Sequence, residues 1–321
     1  MLNNNQISKN DNSREYYRTK FGKMYWSRIE EFVNSYHASE LIGKVNLILT
    51  SPPFPLNRKK QYGNEIGKEY IEMISSLAVI LKEFLTTDGS IVLEIGNAWE
   101  KGNPTMSTLP IKTLLSFLDK GKLKLCEQFV CYNPARLPGP TQWVNVDRIR
   151  VKDAFTNAWW MSPSSYPKAN NRNVLTEYSP SMKKLLKSQK YNSGKRPSEH
   201  HIGSKSFLQN NGGAIPSNVL IISNTESSSE YLKYCKSKNL DRHPARMPYF
   251  LAKFFIEFLT EPGDLVMDPF AGSNTTGYAA ETLGRRWLSI EANETYIRGS
   301  IGRFGRRNVI LKRKRKSSDI I

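Results

Sequence analysis

Apolar and polar positions along this chain follow two periods, and the places where one gives way to the other mark the elements. Val45-Asn46-Leu47-Ile48-Leu49 is a short apolar run that stops at Thr50-Ser51-Pro52-Pro53-Phe54. It reads as a buried strand, Val45–Thr50, ended by two prolines that lack an N–H and have a fixed φ. From Glu69 to Leu85 the apolar residues Tyr70, Ile74, Leu77, Leu81 and Phe84 recur at helical spacing. Asp88-Gly89 turns the chain into a second apolar strand, Ser90–Ile95, which stops at Gly96-Asn97. Strand, helix, strand in this order predicts a parallel α/β sheet.

The pattern fades between residues 133 and 235, where Pro, Gly, Ser, Asn, Lys and Arg dominate. Basic positions cluster there at Arg148, Arg150 and Lys152, and again from Lys183 to Arg196. Trp143, Trp159, Trp160, Tyr166, Tyr178 and Tyr191 are interleaved. Cations for phosphates beside planar groups for bases are what a DNA-reading insert needs. Regular alternation returns with a helix over Tyr249–Thr260 and a strand over Asp264–Asp268. The turn Pro269-Phe270-Ala271-Gly272-Ser273-Asn274 follows, then a helix through Glu281 and a strand, Arg286–Ile290, ending at Glu291. A strand, a tight glycine turn, a helix and a strand ending in an acid make a nucleoside-binding half-fold. Gly272 lets a ligand approach the backbone, the helix start at Thr275 and Thr276 offers N–H groups to an anion, and Glu291 suits ribose hydroxyls. Tyr278 stands after Gly277, where a phosphate-binding P-loop carries lysine.

Composition narrows the partner. The chain has 321 residues and a formal net charge of +18, a balance that favours a polyanion. Three cysteines with no CxxC pair imply neither a disulfide framework nor a zinc site and fit a reducing cytoplasm. No stretch resembles a signal core or a membrane span, and no residue set points to a metal. Residues 1–20 read as a flexible polar arm, and 311–321 as a basic tail.

The loop Thr50–Phe54 offers a hydroxyl, a proline carbonyl and an aromatic ring, groups suited to a flat heterocycle with an exocyclic amine. If its strand lies beside the one ending at Asp268, both loops open into one cleft at the carboxyl edge of the sheet. Together, Thr50-Ser51-Pro52-Pro53-Phe54 and Asp268-Pro269-Phe270-Ala271-Gly272 resemble the catalytic and cofactor motifs of amino-methylating DNA methyltransferases, with the catalytic motif first, as in the β group. Arg58–Asn64, Trp143–Asn145, Arg148–Ala154, Asn211–Gly213 and His243–Arg246 are similar to segments of an N4-cytosine member.

The resemblance implies a Rossmann-like, mostly parallel α/β sheet with circularly permuted motif order and a loop-rich DNA-recognition insert. Its parts are a catalytic half (21–160), a target-recognition region (161–235) and a cofactor-binding half (236–310). Serine at position 51 implies methylation of cytosine N4 with S-adenosylmethionine as donor. The acceptor is then a cytosine flipped from double-stranded DNA, held by Ser51, Pro52, Pro53 and Phe54. Asp268, Pro269, Phe270, Ala271 and Gly272 would hold the methionine part of the cofactor. Ser273, Thr275, Thr276, His243, Pro244, Ala245 and Arg246 would lie near its carboxylate, and Glu291 at the ribose. Arg58, Lys59, Lys60, Arg148, Arg150, Lys152, Lys195 and Arg196 would meet DNA. A cognate restriction endonuclease is the implied functional partner, and a cytoplasmic monomer is expected. Chemistry at ring carbon 5 needs a cysteine nucleophile, commonly in a Pro-Cys pair, and no cysteine here follows proline. The alternatives are an N6-adenine enzyme and, in a different class, a DNA-binding protein with a decayed site.

One departure stands out. The family usually carries a Gly-Asp pair after the Met-Tyr strand, its acid reaching the cofactor's adenine amine. Here Met24-Tyr25 is followed by Trp26-Ser27-Arg28. Either Ser27 or a backbone carbonyl substitutes, or cofactor affinity is weaker.

Overall fold

The computed structural model describes residues 13–53, 67–191, 193–195, 197–199, 201–203, 207–222, 228–305 and 308–312. Phe54, Arg58, Lys59, Lys60 and Arg196 lie outside them, as do most of the expected arm and tail. In chain order the strands are β1 (Arg14–Arg18), β2 (Gly22–Trp26), β3 (Val45–Thr50), β4 (Leu85–Gly96), β5 (Lys124–Tyr132), β6 (Phe155–Ser162), β7 (Gly194–Lys195), β8 (His201–Ile202), β9 (Val219–Ile221), β10 (Leu265–Asp268), β11 (Arg286–Glu291) and β12 (Ile310–Leu311). The α-helices are α1 (Ile29–Phe32), α2 (Tyr36–Ser39), α3 (Lys68–Phe84), α4 (Leu109–Gly121), α5 (Pro180–Ser188), α6 (Glu230–Ser237), α7 (Tyr249–Leu259), α8 (Thr275–Thr282) and α9 (Glu294–Phe304).

The described residues divide into a large unit, 13–168 with 218–312, and a small one, Ala169–Ser217. The small unit holds α5, the β7–β8 pair and a bridge between Thr176 and Ala214.

In the large unit ten strands form one sheet in the order β12-β1-β2-β11-β10-β3-β4-β6-β5-β9. The five from β2 to β4 are parallel. All five therefore end at one edge. From β10 the chain leaves through α8 to β11 on one side, and from β3 through α3 to β4 on the other. The gap between β10 and β3 is thus the switch point at which ligands of open α/β sheets bind.

Alternation along the strands feeds two cores. Ile48, Ile91, Leu93, Ile95 and Met267 pack with α3, whose Tyr70, Ile74, Leu77, Leu81 and Phe84 are all buried as their spacing predicts. Leu47, Leu49, Val92 and Val266 pack on the opposite face with α7 and α8. At about 25 cal/mol per Å² of apolar surface, these two layers supply the main driving force for the sheet.

Two expectations change. Trp159 and Trp160, read as part of a DNA-facing stretch, are buried in β6 and belong to the two cores. β6 enters the sheet antiparallel to both β4 and β5, so its partners come from distant sequence. Residues 14–18, within the expected arm, form β1 because Tyr17 is fully buried and its hydroxyl pairs with Ser300 Oγ at 2.8 Å.

Candidate active site

The carboxyl ends of β2, β11, β10 and β3 build one cleft. Ser51, Pro52 and Pro53 line it from β3, and Asp268 through Ser273 from β10. Glu291 and Ala292 line it from β11, and Ser27 through Glu30 from β2. The two motif loops, distant in sequence, share this cavity. They are also joined directly: Thr50 Oγ1 donates to Asp268 Oδ1 at 2.7 Å, with both residues buried.

Asp268 receives further hydrogen bonds from Phe270 N–H, at 3.1 Å, and from the Thr276 hydroxyl. These donors favour the carboxylate, but burial outweighs them and pushes its pKa up to about 6. Glu291 is likewise raised by burial, although the N–H groups of Asn293, Gly272 and Ala292 oppose this. The Gly272 N–H donates to Glu291 Oε2 at 2.7 Å, which ties the glycine turn to the end of the next strand.

The turn is fixed from beneath. Asn274, at φ +55°, caps α8 by accepting from Gly277 N–H at 3.1 Å, and it also accepts from Ser289 Oγ and donates to Tyr17 Oη. Arg303 donates to the carbonyl and hydroxyl of Ser273 at 2.7 and 3.0 Å. Gly272 has φ +51°, and a Cβ there would stand 2.9 Å from His243 Nε2. Glycine is required twice over, for the left-handed backbone and for the close approach.

His243, Ala245, Arg246 and Tyr296 also line the cleft. The Arg246 Nη1 donates to the His243 carbonyl at 3.1 Å, while its buried Nε has no hydrogen-bond partner among the described residues. Thr275 and Thr276 also line the cleft. Pro244 is exposed. Arg148 and Arg150 are exposed and Lys152 half-buried on the loop joining β5 to β6, and Lys195 is exposed in the small unit. None of these four basic residues lines the cleft.

One residue was not anticipated. Glu94, on β4, is buried, accepts from Thr156 Oγ1 at 3.0 Å and is hydrogen-bonded by the Ser51 side chain. Burial raises its pKa, opposed by those two hydroxyls and by the nearby Arg136. Glu94, Ser51, Asn133, Arg136 and Thr156 line a second cavity, so Ser51 stands on the partition between the two. A lone acid inside the apolar run Ile91–Ile95 was the available signal, because an unpartnered buried carboxylate is costly.

At the position of the missing Gly-Asp pair, the Ser27 hydroxyl is occupied by the Arg28 carbonyl, at 2.9 Å, and lies 3.1 Å from Ser13 Oγ. Glu30 is an acid at that end of the cleft, 3.5 Å from the Arg28 guanidinium. Among the described residues no group of three or more His, Cys, Asp or Glu is arranged to hold a metal, and no helix is long and apolar enough to cross a membrane.

Two strand-end loops share one cleft at a switch point, with an acid at each neighbouring strand end, the place where open α/β sheets bind nucleoside ligands. The DNA methylase family model matches residues 45–302, and the chain belongs to that family. It is 42% identical over 314 residues to the type II methyltransferase M.PvuII of Proteus hauseri, covering 96% of this chain and 92% of that protein. A solved structure titled PvuII DNA methyltransferase (cytosine-N4-specific) superposes with a TM-score of 0.73 at 37% identity, covering 93% of this chain and 92% of that one. A complex of M1.HpyAVI with S-adenosylmethionine shares the fold, with a TM-score of 0.51 at 20% identity over 88% of this chain and 99% of that one.

Proposed function

We propose that the protein is a site-specific DNA methyltransferase that transfers a methyl group from S-adenosylmethionine to the exocyclic N4 amine of a flipped cytosine. The observation that carries the reading is the partition at Ser51, with a cofactor-sized cleft on one side and a cavity for a planar base on the other. The relative whose title specifies cytosine N4 covers nearly the whole chain.

The cleft residues fit the cofactor. Its cationic amine suits Asp268, its carboxylate suits Arg246 Nε, without a hydrogen-bond partner among the described residues, together with Ser273 and Thr275, and its ribose suits Glu291. When bound, S-adenosylmethionine supplies an electrophilic methyl on a sulfonium.

The rest falls to this chain. The obstacle is the amine lone pair, which is delocalised into the cytosine ring. An ionised Glu94 can only accept, so the Ser51 hydroxyl must donate to it. That orientation turns the Ser51 lone pairs towards the second cavity, where they accept from the amine and draw its nitrogen towards a tetrahedral geometry. As nitrogen gains its fourth bond, its proton passes to Ser51 Oγ while the Ser51 proton passes to Glu94, whose burial-raised pKa suits it to receive one. Catalysis is positioning and electrostatics with no covalent enzyme intermediate.

By the same reading residues 161–235 recognise the target, while Arg148, Arg150, Lys152 and Lys195 meet phosphates. The modification protects host DNA from a cognate endonuclease, and the protein acts as a cytoplasmic monomer. Expression in a host lacking other methylases, with nucleoside mass spectrometry of the recovered plasmid, tests the central claim. N4-methylcytosine is expected. N6-methyladenine would replace the reading with its adenine alternative, and unmodified DNA would favour a decayed site.

A further inference from the structure

In the loop joining β5 to β6, residues 133–154, only the basic residues have a part in the function above. β5 ends, and β6 begins, at the edge where β4 ends, since Gly96 pairs with Thr156. The loop therefore rises from the rim of the second cavity, and Asn133 and Arg136 at its root line that cavity with Ser51 and Glu94. Its base is clamped. Asn133 N–H donates to the Ala154 carbonyl at 2.8 Å, and Asp153 N–H to the Gly139 carbonyl at 2.9 Å. Arg136 Nη1 donates to the Phe155 carbonyl at 3.0 Å, and Lys152 Nζ to the Pro134 carbonyl at 2.9 Å.

On this braced stem a leucine stands in solvent. Leu137 is 84% exposed, one residue from cavity-lining Arg136, in the stretch Pro134-Ala135-Arg136-Leu137-Pro138-Gly139-Pro140. Three prolines restrict the backbone around it. Arg148, Arg150 and Lys152 on the same loop supply positive charge. An exposed apolar side chain on a stiff support, flanked by cations, suits a DNA duplex whose stacking it enters. Extruding a base leaves a gap and costs unstacking and unpairing, and an apolar group that fills the gap offsets part of that cost.

We propose that Leu137 is the wedge that occupies the base stack when the target cytosine enters the cavity behind Ser51. The assignment rests on the activity proposed above and adds a positioning residue that touches neither cofactor nor target base.

The test compares Leu137→Ala with wild type on two duplexes bearing the methylation site mapped in plasmid DNA. One is fully paired, and in the other the target cytosine faces an abasic site. The variant should be about tenfold or more slower on the paired duplex, yet within about twofold of wild type on the duplex already lacking the partner base. A variant equally slow on both, or unimpaired on the paired duplex, overturns the wedge. Val151→Ala, at a position 86% exposed on the other limb of the loop, should match wild type on both. The substrate dependence expected of Leu137→Ala, seen instead in Val151→Ala, overturns the assignment to Leu137. If the wild-type protein methylates neither duplex, the activity itself fails and the wedge falls with it.

Discussion

Asp268→Asn should make the protein more stable and unable to work. The carboxyl is buried and its pKa is pushed from 3.8 up to about 6. The displacement is about two pH units, and each is worth about 1.4 kcal/mol, so the ionised group costs the fold about 3 kcal/mol at pH 8. The sign follows from the raised value. Below about pH 4 both folded and unfolded chains hold the proton and the group costs nothing. As pH rises through about 6, the folded chain must release a proton that the unfolded chain had already lost, and the favourable contribution disappears. An asparagine can keep the geometry, because its Oδ1 can accept from Thr50 and Phe270 and the Thr276 hydroxyl can accept from its amide. Thermal melts of cofactor-free protein should show the variant about 4 °C above wild type at pH 8, with the gap closing towards pH 4. Calorimetry at pH 8 should show S-adenosylmethionine binding weakened by about thirtyfold or more, since the cofactor's cationic amine loses its counter-charge. A variant no more stable than wild type at pH 8, or a gap independent of pH, would refute the argument that burial governs this carboxyl. Stabilisation with unchanged cofactor affinity would leave the electrostatics standing and remove Asp268 from the binding site.

Ser51→Ala should lower methyl transfer by about 100-fold or more while DNA affinity, read by fluorescence anisotropy, stays within about twofold; normal turnover would strip Ser51 of its catalytic role. Wild-type activity should fall as the pH drops through the raised pKa of Glu94, because a protonated Glu94 no longer compels Ser51 to donate. Glu94→Gln should turn over about 100-fold more slowly and lose that acid limb, and a pH–rate profile that keeps it would assign the limb to another group. Gly272→Ala sets a Cβ 2.9 Å from His243 Nε2 at φ +51°, so cofactor affinity should fall by about tenfold through a cost of at least about 1 kcal/mol in the turn; wild-type affinity by calorimetry would mean that His243 yields freely.

What the sequence made legible was what local chemistry determines. The period of α3, the proline stop after β3 and the glycine turn after β10 are each dictated by neighbouring residues, and the structure has β3 at Val45–Thr50 and β10 at Leu265–Asp268. The meeting of the two loops followed from topology, since parallel strands joined by helices end at one edge. β1, β6 and the partners of Glu94 were illegible for a common reason: each depends on residues far along the chain. Tyr17 makes β1 a strand by reaching Ser300 and Asn274, and Trp159 and Trp160 become core only when β4 and β5 flank β6. Glu94 is the instructive case. The continuous apolar run of β4 predicts its burial, and burial of a carboxylate without partners is costly. An acid in an apolar strand therefore demands polar neighbours at the same strand ends, and here these are Thr156 and the Ser51 loop. Such an acid in the strand next to a polar loop is evidence about that loop, and on the proposed mechanism it is the proton's destination beside Ser51.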